Sequence, residues 1–391
     1  MNGDVAILGA GPTGCALGAY LARRGAKVTL VESVERPESV VGESMLPGST
    51  LVFEELGLDL SGFMVKPGAV FCRDGETVRF DFSEAESVRY PWAWQVQREV
   101  FDLRCRDVAR REGCAIVYAE ARDVDLATRT LRTSAGDISA GRIVDAGGRA
   151  MWLSRKLGLR VGDARLKNAA VGTRMRGVKQ VAPDAEGDIT ICCIPGGWIW
   201  IIPFGGGVAS VGAVMSPACP ITGTAEERLR AAIAMSPDAT ARLAEAERVL
   251  PLRGLQDFTA TSTTFHGEGF ALCGDAATFI DPVFSSGVLL GLYGARQLAA
   301  ALDGGDLDAW QAEYREGAGV FRKVIDHWYA GDFMDVALAP RELQKPYYRT
   351  GIVSLLAGDV YNPTRRTPRE MADRMGELAE MVRAWRAAHA S

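Results

Sequence analysis

The sequence predicts an α/β protein: a Rossmann-type nucleotide-binding sheet, a β-rich unit inserted into it, and a helical C-terminal tail. Three observations predict it. A strand, Gly-rich turn, helix and strand run from Asp4 to Glu32. A strand-rich stretch from about Val171 to Met215 then interrupts the nucleotide-binding pattern. A further strand ending at Gly274-Asp275, with a long helix after it, returns to that pattern.

The elements follow in chain order. Val5–Leu8 is a short apolar run, suited to a parallel strand buried on both faces. Cys15, Leu17, Leu21 and Ala22 form the apolar stripe of a helix that Gly25 ends, and Lys27–Val31 is the next strand. From about Gly68 to Tyr118, strand patterns flank an amphipathic helix at Arg98–Glu112. Ala140–Asp145 reads as a returning strand, and Ala225–Val249 as one helix. Gly269–Gly274 is a strand, Ser286–Leu302 a long helix, and Leu307–Ser391 mostly helical. The nucleotide-binding domain is therefore expected in three pieces, 1–67, 96–165 and 266–305. Residues 68–95 and 166–265 form the substrate domain, and 306–391 the helical tail.

Composition excludes several classes. The net charge of −5 argues against a nucleic-acid binder. Eight Cys without a C-x-x-C pair, and only three His, argue against a zinc site, so no metal is expected. No apolar run reaches the ~18–20 residues that span a bilayer, and the chain opens on a strand-like segment. A cytoplasmic protein with reduced thiols and no membrane span is expected. His266, His327 and His389 read as isolated structural or solvated residues.

Gly9-Ala-Gly11-Pro12-Thr13-Gly14 follows a strand and opens a helix, the context in which G-x-G-x-x-G binds a dinucleotide. Gly9 permits the tight turn, Gly11 the approach of a pyrophosphate, and Gly14 close packing of helix on strand. The phosphates are expected at the helix N-terminus. Glu32, 18 residues after Gly14 at the end of the second strand, can accept hydrogen bonds from the adenosine ribose. The motif alone does not separate NAD from FAD. Gly274-Asp275, between a strand and a helix, resembles the site at which flavoproteins of the aromatic-hydroxylase type bind the ribityl chain, and so selects FAD. No second G-x-G-x-x-G marks an NAD(P)H domain.

Five further motifs together resemble the flavin-dependent halogenases. Trp198-Ile-Trp200-Ile-Ile202-Pro203 is W-x-W-x-I-P. Phe279-Ile-Asp-Pro282-Val-Phe-Ser285-Ser-Gly287 is F-x-x-P-x-x-S-x-G. Gly42-Glu43-Ser44-Met-Leu-Pro47 is G-E-S-x-x-P. Phe63-Met-Val-Lys66-Pro-Gly68-Ala-Val-Phe71 is F-x-x-K-x-G-x-x-F, and Asp145-Ala-Gly-Gly148-Arg149 is D-x-x-G-R. The resemblance covers roughly residues 4 to 295, and the tail is shorter than in many halogenases.

The resemblance implies reduced FAD, supplied by a separate flavin reductase, and chloride or bromide as the halide. Trp198, Trp200 and Ile202 alternate on a strand, so they share a face and can wall substrate off from the flavin. The resemblance makes Lys66 the active-site lysine, which polarises hypohalous acid or carries the halogen as a haloamine. Backbone N–H groups of the Pro282 and Ser285–Gly287 turn can hold halide or the flavin pyrimidine edge. Arg98 matches a position that contacts FAD, and Glu43 is a candidate polar or basic group. The candidate catalytic set is Lys66, Glu43, Trp198, Trp200 and Ser285. The candidate cofactor set is Gly9, Gly11, Pro12, Thr13, Gly14, Glu32, Glu43, Ser44, Arg98, Gly274, Asp275, Pro282, Gly287 and Val288.

The expected substrate is an electron-rich aromatic, free, carrier-bound or peptidyl. The same motifs could persist in a relative that hydroxylates instead, including those that oxidise a tryptophan of a partner protein during quinone-cofactor biogenesis. Trp328, Tyr347 and Tyr348 could line the substrate pocket or pack the tail, and the aromatic tail is compatible with a homodimer.

Overall fold

The structure is a computed structural model, and it describes residues 4–35, 41–86, 90–180, 185–256, 259–361 and 367–389. Parts of the predicted strand-rich and tail segments, at 87–89, 181–184, 362–366 and 390–391, lie outside these residues.

The first sheet has six strands, in the order His266–Gly267, Phe270–Leu272, Arg142–Asp145, Asp4–Leu8, Lys27–Glu32 and Ala115–Tyr118. All pairings are parallel except that of the edge strand His266–Gly267. Asp4–Leu8 sits between Lys27–Glu32 and Arg142–Asp145, so connections leave its C-terminal end toward opposite sides. Such a switch point opens a crevice where a ligand can enter. Helix Pro12–Ala22 leaves the first strand and packs on helix Ser286–Leu302. The fit is close because Gly291 has no side chain: a Cβ there would fall 2.2 Å from Thr13 Oγ1.

The second sheet runs Glu247–Arg248, Ala169–Arg176, Val208–Met215, Gly197–Gly205, Ile189–Ile194, Gly68–Arg73 and Glu76–Asp81, with Arg253–Gln256 also paired to Ala169–Arg176. Its alternation divides the core. Trp198, Trp200 and Ile202 join the main core, whereas Ile199 and Ile201 face a separate cluster with Leu229, Ala232 and Leu243. A two-stranded ladder, Met64–Lys66 with Ala93–Gln95, bridges the two regions.

The single helix expected at Ala225–Val249 is instead two, Ala225–Ala234 and Pro237–Leu243, followed by strand Glu247–Arg248. Pro237 lacks the N–H that would continue the first helix, and Ser236 caps the second by accepting the Ala239 N–H. The tail is helical as expected, at Leu307–Tyr329, Asp332–Ala337, Pro346–Leu356 and Thr367–His389. Trp328 is core, packed on Phe71, Phe284 and Phe333, and Tyr347 is exposed and donates to Glu370. One histidine expected to stand alone is paired, His327 with Asp332 at 2.8 Å, while His266 Nε2 lies 3.2 Å from the exposed Asp308 without a hydrogen bond to it. Among the described residues no helix is long and apolar enough to cross a membrane, and no cluster of His, Cys, Asp or Glu is placed to hold a metal.

Candidate functional site

A cleft of about 620 Å³ opens at the C-terminal ends of the central parallel strands. Of the sequence-predicted residues, Gly9, Gly11, Pro12, Thr13, Glu32, Glu43, Ser44, Arg98, Asp275, Pro282, Ser285, Gly287 and Val288 line it, as do Trp198, Trp200 and Ile202. Gly14, Gly274 and Lys66 do not.

The Gly-rich turn is built for close approach. Gly9 has φ +91°, and a Cβ there would meet Ala146 O at 2.6 Å. A Cβ on Gly14 would strike Gly9 O at 2.0 Å, so this glycine serves packing. Gly11 has no neighbouring atom within 4 Å of its Cβ position, which leaves the space a pyrophosphate needs. Glu32 Oε2 accepts the Ala10 N–H at 2.9 Å and so is tied to the same turn. Arg106, which the sequence reading did not single out, is buried and donates to Ala10 O at 3.0 Å.

Across the cleft, burial pushes the Asp275 carboxyl up, opposed by the guanidinium groups of Arg149 and Arg98. Arg98 is held by Asp102 at 2.7 and 3.0 Å. Gly274, at φ +65°, packs against the Thr13 side chain behind the wall. Ser285 takes the left-handed conformation, φ +56°, at the start of helix Ser286–Leu302. A non-glycine residue there stores about 1–3 kcal/mol of strain, a pattern concentrated at functional sites. The turn sets the N-terminal end of that helix, through Ser285, Gly287 and Val288, on the cleft wall, where an anion is favoured. These features fit FAD.

The indoles of Trp198 and Trp200 lie side by side, ring centroids 5.9 Å apart, on the cleft wall. Lys66 lies behind the neighbouring segment. It is 1% exposed, donates to Met45 O at 2.9 Å, and stands 5.3 Å from the Phe82 ring centroid. Burial brings its pKa down to about 7, opposed by the charge of Asp188.

Comparison with known proteins agrees with this geometry. The family model for tryptophan halogenase matches residues 4–87 and 74–331. The chain belongs to the tryptophan halogenase family. It is an FAD-dependent oxidoreductase whose relatives are flavin-dependent halogenases. One relative, the 1H-pyrrole-2-carbonyl-[peptidyl-carrier protein] chlorinase of Pseudomonas fluorescens, is 29% identical over 97% of this chain and 93% of its own length. The tryptophan 2-halogenase of Chondromyces crocatus is 30% identical over 76% of this chain, but over only 60% of its own length. The crystal structure of a flavoprotein/dehydrogenase from Cytophaga hutchinsonii superposes with a TM-score of 0.89 at 30% identity, covering 97% of this chain and 98% of that one.

Two polar networks support the halogenase wall, and the sequence reading singled out neither. Trp200 Nε1 donates to Ser210 Oγ at 3.1 Å, and Ser210 hydrogen-bonds Glu43. Glu43 also accepts from Arg174 at 2.9 Å, and Arg174 holds Glu99 at 2.6 Å. Burial pushes the Glu43 carboxyl up, against these hydrogen bonds. Glu43 thus ties the wall to the G-E-S segment. In the second network Trp198 Nε1 donates to Tyr329 OH at 3.3 Å. Tyr329 OH donates to Asp281 Oδ2 at 2.9 Å, and Asn168 Nδ2 reaches both, at 2.7 Å to Tyr329 and 2.9 Å to Asp281. Asp281 Oδ1 accepts the Val283 N–H at 3.0 Å, which fixes the Pro282 turn. Asp281 stood inside the quoted F-x-x-P motif. Tyr329 and Asn168, far away in sequence, carried no local signal.

Proposed function

We propose that the protein is a two-component cytoplasmic halogenase, supplied with reduced FAD by a separate reductase, that halogenates an electron-rich aromatic acyl group held as a thioester on a carrier protein. The observation that carries the reading is the division between cleft and lysine. The indole wall lines the cleft, whereas buried Lys66 stands outside it beside Met45. Such a division suits a reaction in which a small oxidised halogen species leaves the cleft and meets Lys66, while the organic ring stays apart from the cofactor. The carrier-bound substrate is supported by the pyrrolyl-carrier chlorinase, with which this chain shares nearly its full length.

Each residue then has a role. Gly9, Gly11, Pro12, Thr13 and the helix N-terminus would hold the pyrophosphate, with Gly14 packing helix on strand. Glu32 would take the adenosine ribose. Asp275 would hold the ribityl chain, with Arg98 and Arg149 close by and Gly274 behind it. Ser44 contributes to the wall beside Glu43. The N–H groups around Pro282, Ser285, Gly287 and Val288 would hold halide or the pyrimidine edge. Trp198 and Trp200 exclude substrate, Glu43 positions Trp200 through Ser210, and Lys66 delivers the halogen. Reduced FAD, when bound, would supply two of the four electrons that dioxygen takes up, the other two coming from the chloride or bromide that is oxidised.

The test combines purified protein, FAD, a flavin reductase, NADH, air and bromide or chloride with pyrrole-2-carbonyl carrier protein or with free tryptophan. Intact-mass spectrometry should show a halogenated carrier thioester, and none without halide. An oxygenated product formed equally well in halide-free buffer would replace this reading with hydroxylation. Product from free tryptophan alone would remove the carrier.

A further inference from the structure

Phe279, the first residue of the F-x-x-P-x-x-S-x-G motif, lines the cleft. It also lines a second cavity, of about 530 Å³, which none of the roles above uses. One wall of this cavity is helix Leu307–Tyr329. The other is a small three-stranded sheet of Arg160–Gly162, Ala260–Ser262 and Thr278–Phe279. The volume falls within the range of about 300–1,000 Å³ that small-molecule sites occupy.

Arg315, Gly319 and Arg322 stand at i, i+4 and i+7 of the helix, so they share a face, and all three line the cavity. In the same helix Gly317 is required by packing, since a Cβ there would fall 2.2 Å from Tyr361 Cε1. A Cβ at Gly319 would meet no atom within 4 Å, and its backbone is ordinary helix. Glycine in a helix interior is destabilising relative to alanine. Neither packing nor backbone geometry calls for it at 319. Its effect is to leave an open floor between two guanidinium groups.

The cavity is positive in a chain whose net charge is −5. Arg165, Arg315 and Arg322 line it against one carboxylate, Asp163. Arg322 engages that carboxylate and also reaches Asp326 at 3.1 Å, and Arg165 Nε lies 3.8 Å from Asp163. Arg315 is held differently. Its Nη2 donates to Ser262 O at 3.0 Å and to Thr263 O at 2.8 Å, and its guanidinium carbon lies 4.1 Å from the Phe265 ring centroid. These contacts fix the group, yet among the described residues its Nη1 and Nε have no hydrogen-bond partner and no carboxylate pairs with it. A guanidinium fixed in this way presents a planar fork of donors that matches a carboxylate.

We propose that this cavity is a second ligand site, for a small aromatic carboxylate, and that its occupancy is felt in the flavin cleft through Phe279. The carboxylate would pair with Arg315. The ring would lie over Gly319, where guanidinium groups on either side favour a π face, against Phe279 and Ile280. On the cleft side Phe279 lies 5.9 Å from the guanidinium of Arg149 and 3.9 Å from the Cβ position of Gly287. A ligand bearing on the ring therefore presses on two cleft residues. Such coupling is reciprocal, so a carboxylate that alters FAD affinity is itself bound differently with and without FAD. The site stands whatever reaction the cleft performs.

The probe is pyrrole-2-carboxylate, and saturation-transfer NMR on the FAD-loaded protein reads its binding. Wild type should bind it, and should bind pyrrole-2-carboxamide, a similar ring without the charge, at least about tenfold more weakly. Gly319→Leu places a side chain on the open floor, and Arg315→Gln removes the cation. Each should lower affinity for the carboxylate at least about tenfold while FAD is retained. In FAD titrations the probe should shift the Kd at least about twofold in wild type, and leave it unmoved in Gly319→Leu. Absence of binding to wild type, equal binding of acid and amide, or undiminished binding in Gly319→Leu would overturn the site. The last outcome would place the probe in the flavin cleft instead. An FAD Kd indifferent to a bound probe would overturn the coupling. Leucine is a better helix former than glycine, so Gly319→Leu keeps the test decisive if Arg315→Gln does not fold.

Discussion

Gly212 and Trp200 face each other across neighbouring strands, and a Cβ on Gly212 would fall 2.2 Å from Trp200 Cζ2. Gly172, the register partner of Gly212 on the next strand, lies as close, with its Cβ position 2.5 Å from the same atom. The two glycines form the bed on which the indole lies. Gly212→Ala should therefore displace the ring and cost about 1–3 kcal/mol of stability. Chemical denaturation and tryptophan emission measure this, and an unchanged midpoint with unchanged emission would contradict the packing.

Removing the Lys66 amine separates halogen delivery from cofactor binding. Lys66→Ala should abolish halogenation and leave FAD binding at its wild-type affinity, because the lysine stands outside the cleft. Persistence of halogenated product would end its assigned role.

Lys66 also gives stability a pH dependence. Between about pH 7 and about 10.5 the unfolded chain holds a proton on this lysine that the native protein lacks. Native stability from this group therefore rises with pH across that window, by about 1.4 kcal/mol per unit. Denaturation curves at pH 7, 8 and 9 should show wild type gaining on Lys66→Met. Parallel curves would mean that the lysine titrates normally.

In the proposed reading Asp275 meets the ribityl hydroxyls, in a region where burial pushes its carboxyl up and Arg149 and Arg98 oppose that rise. Asp275→Ala should weaken FAD binding by about 1.5–3 kcal/mol, roughly tenfold to a hundredfold in Kd. Flavin retained in full through gel filtration would count against this. Gly11→Val, which fills the open space on the turn, should do the same for steric reasons, read by the same assay.

Tyr329 holds Trp198, Asn168 and Asp281 at one hydroxyl. Tyr329→Phe should leave these buried groups short of partners and lower stability by about 1–3 kcal/mol. It should also release peroxide in place of halogenated product, since the wall and the Pro282 turn lose their shared anchor. Wild-type coupling of oxygen use to product would show that the hydroxyl is dispensable.

What the sequence determined by itself is local. Gly9, Gly11 and Gly14 could be assigned roles because turn, approach and packing are set within one strand–turn–helix unit. Trp198, Trp200 and Ile202 could be placed on one face because strand periodicity is two. Lys66 could be singled out because its motif is contiguous. The helix over 225–249 was misjudged where hydrophobic spacing continued through Pro237, and backbone chemistry overruled periodicity. Tertiary structure alone decided which distant groups meet. Asp188 comes up against Gly68 across 120 positions, and Tyr329 meets Trp198 across 131, each through a fold that leaves no trace in local spacing. Burial, too, is a property of the assembled layers. It turned a lysine before a Pro-Gly turn into an amine poised near neutrality, because removal from water penalises the charge that solvent would otherwise stabilise.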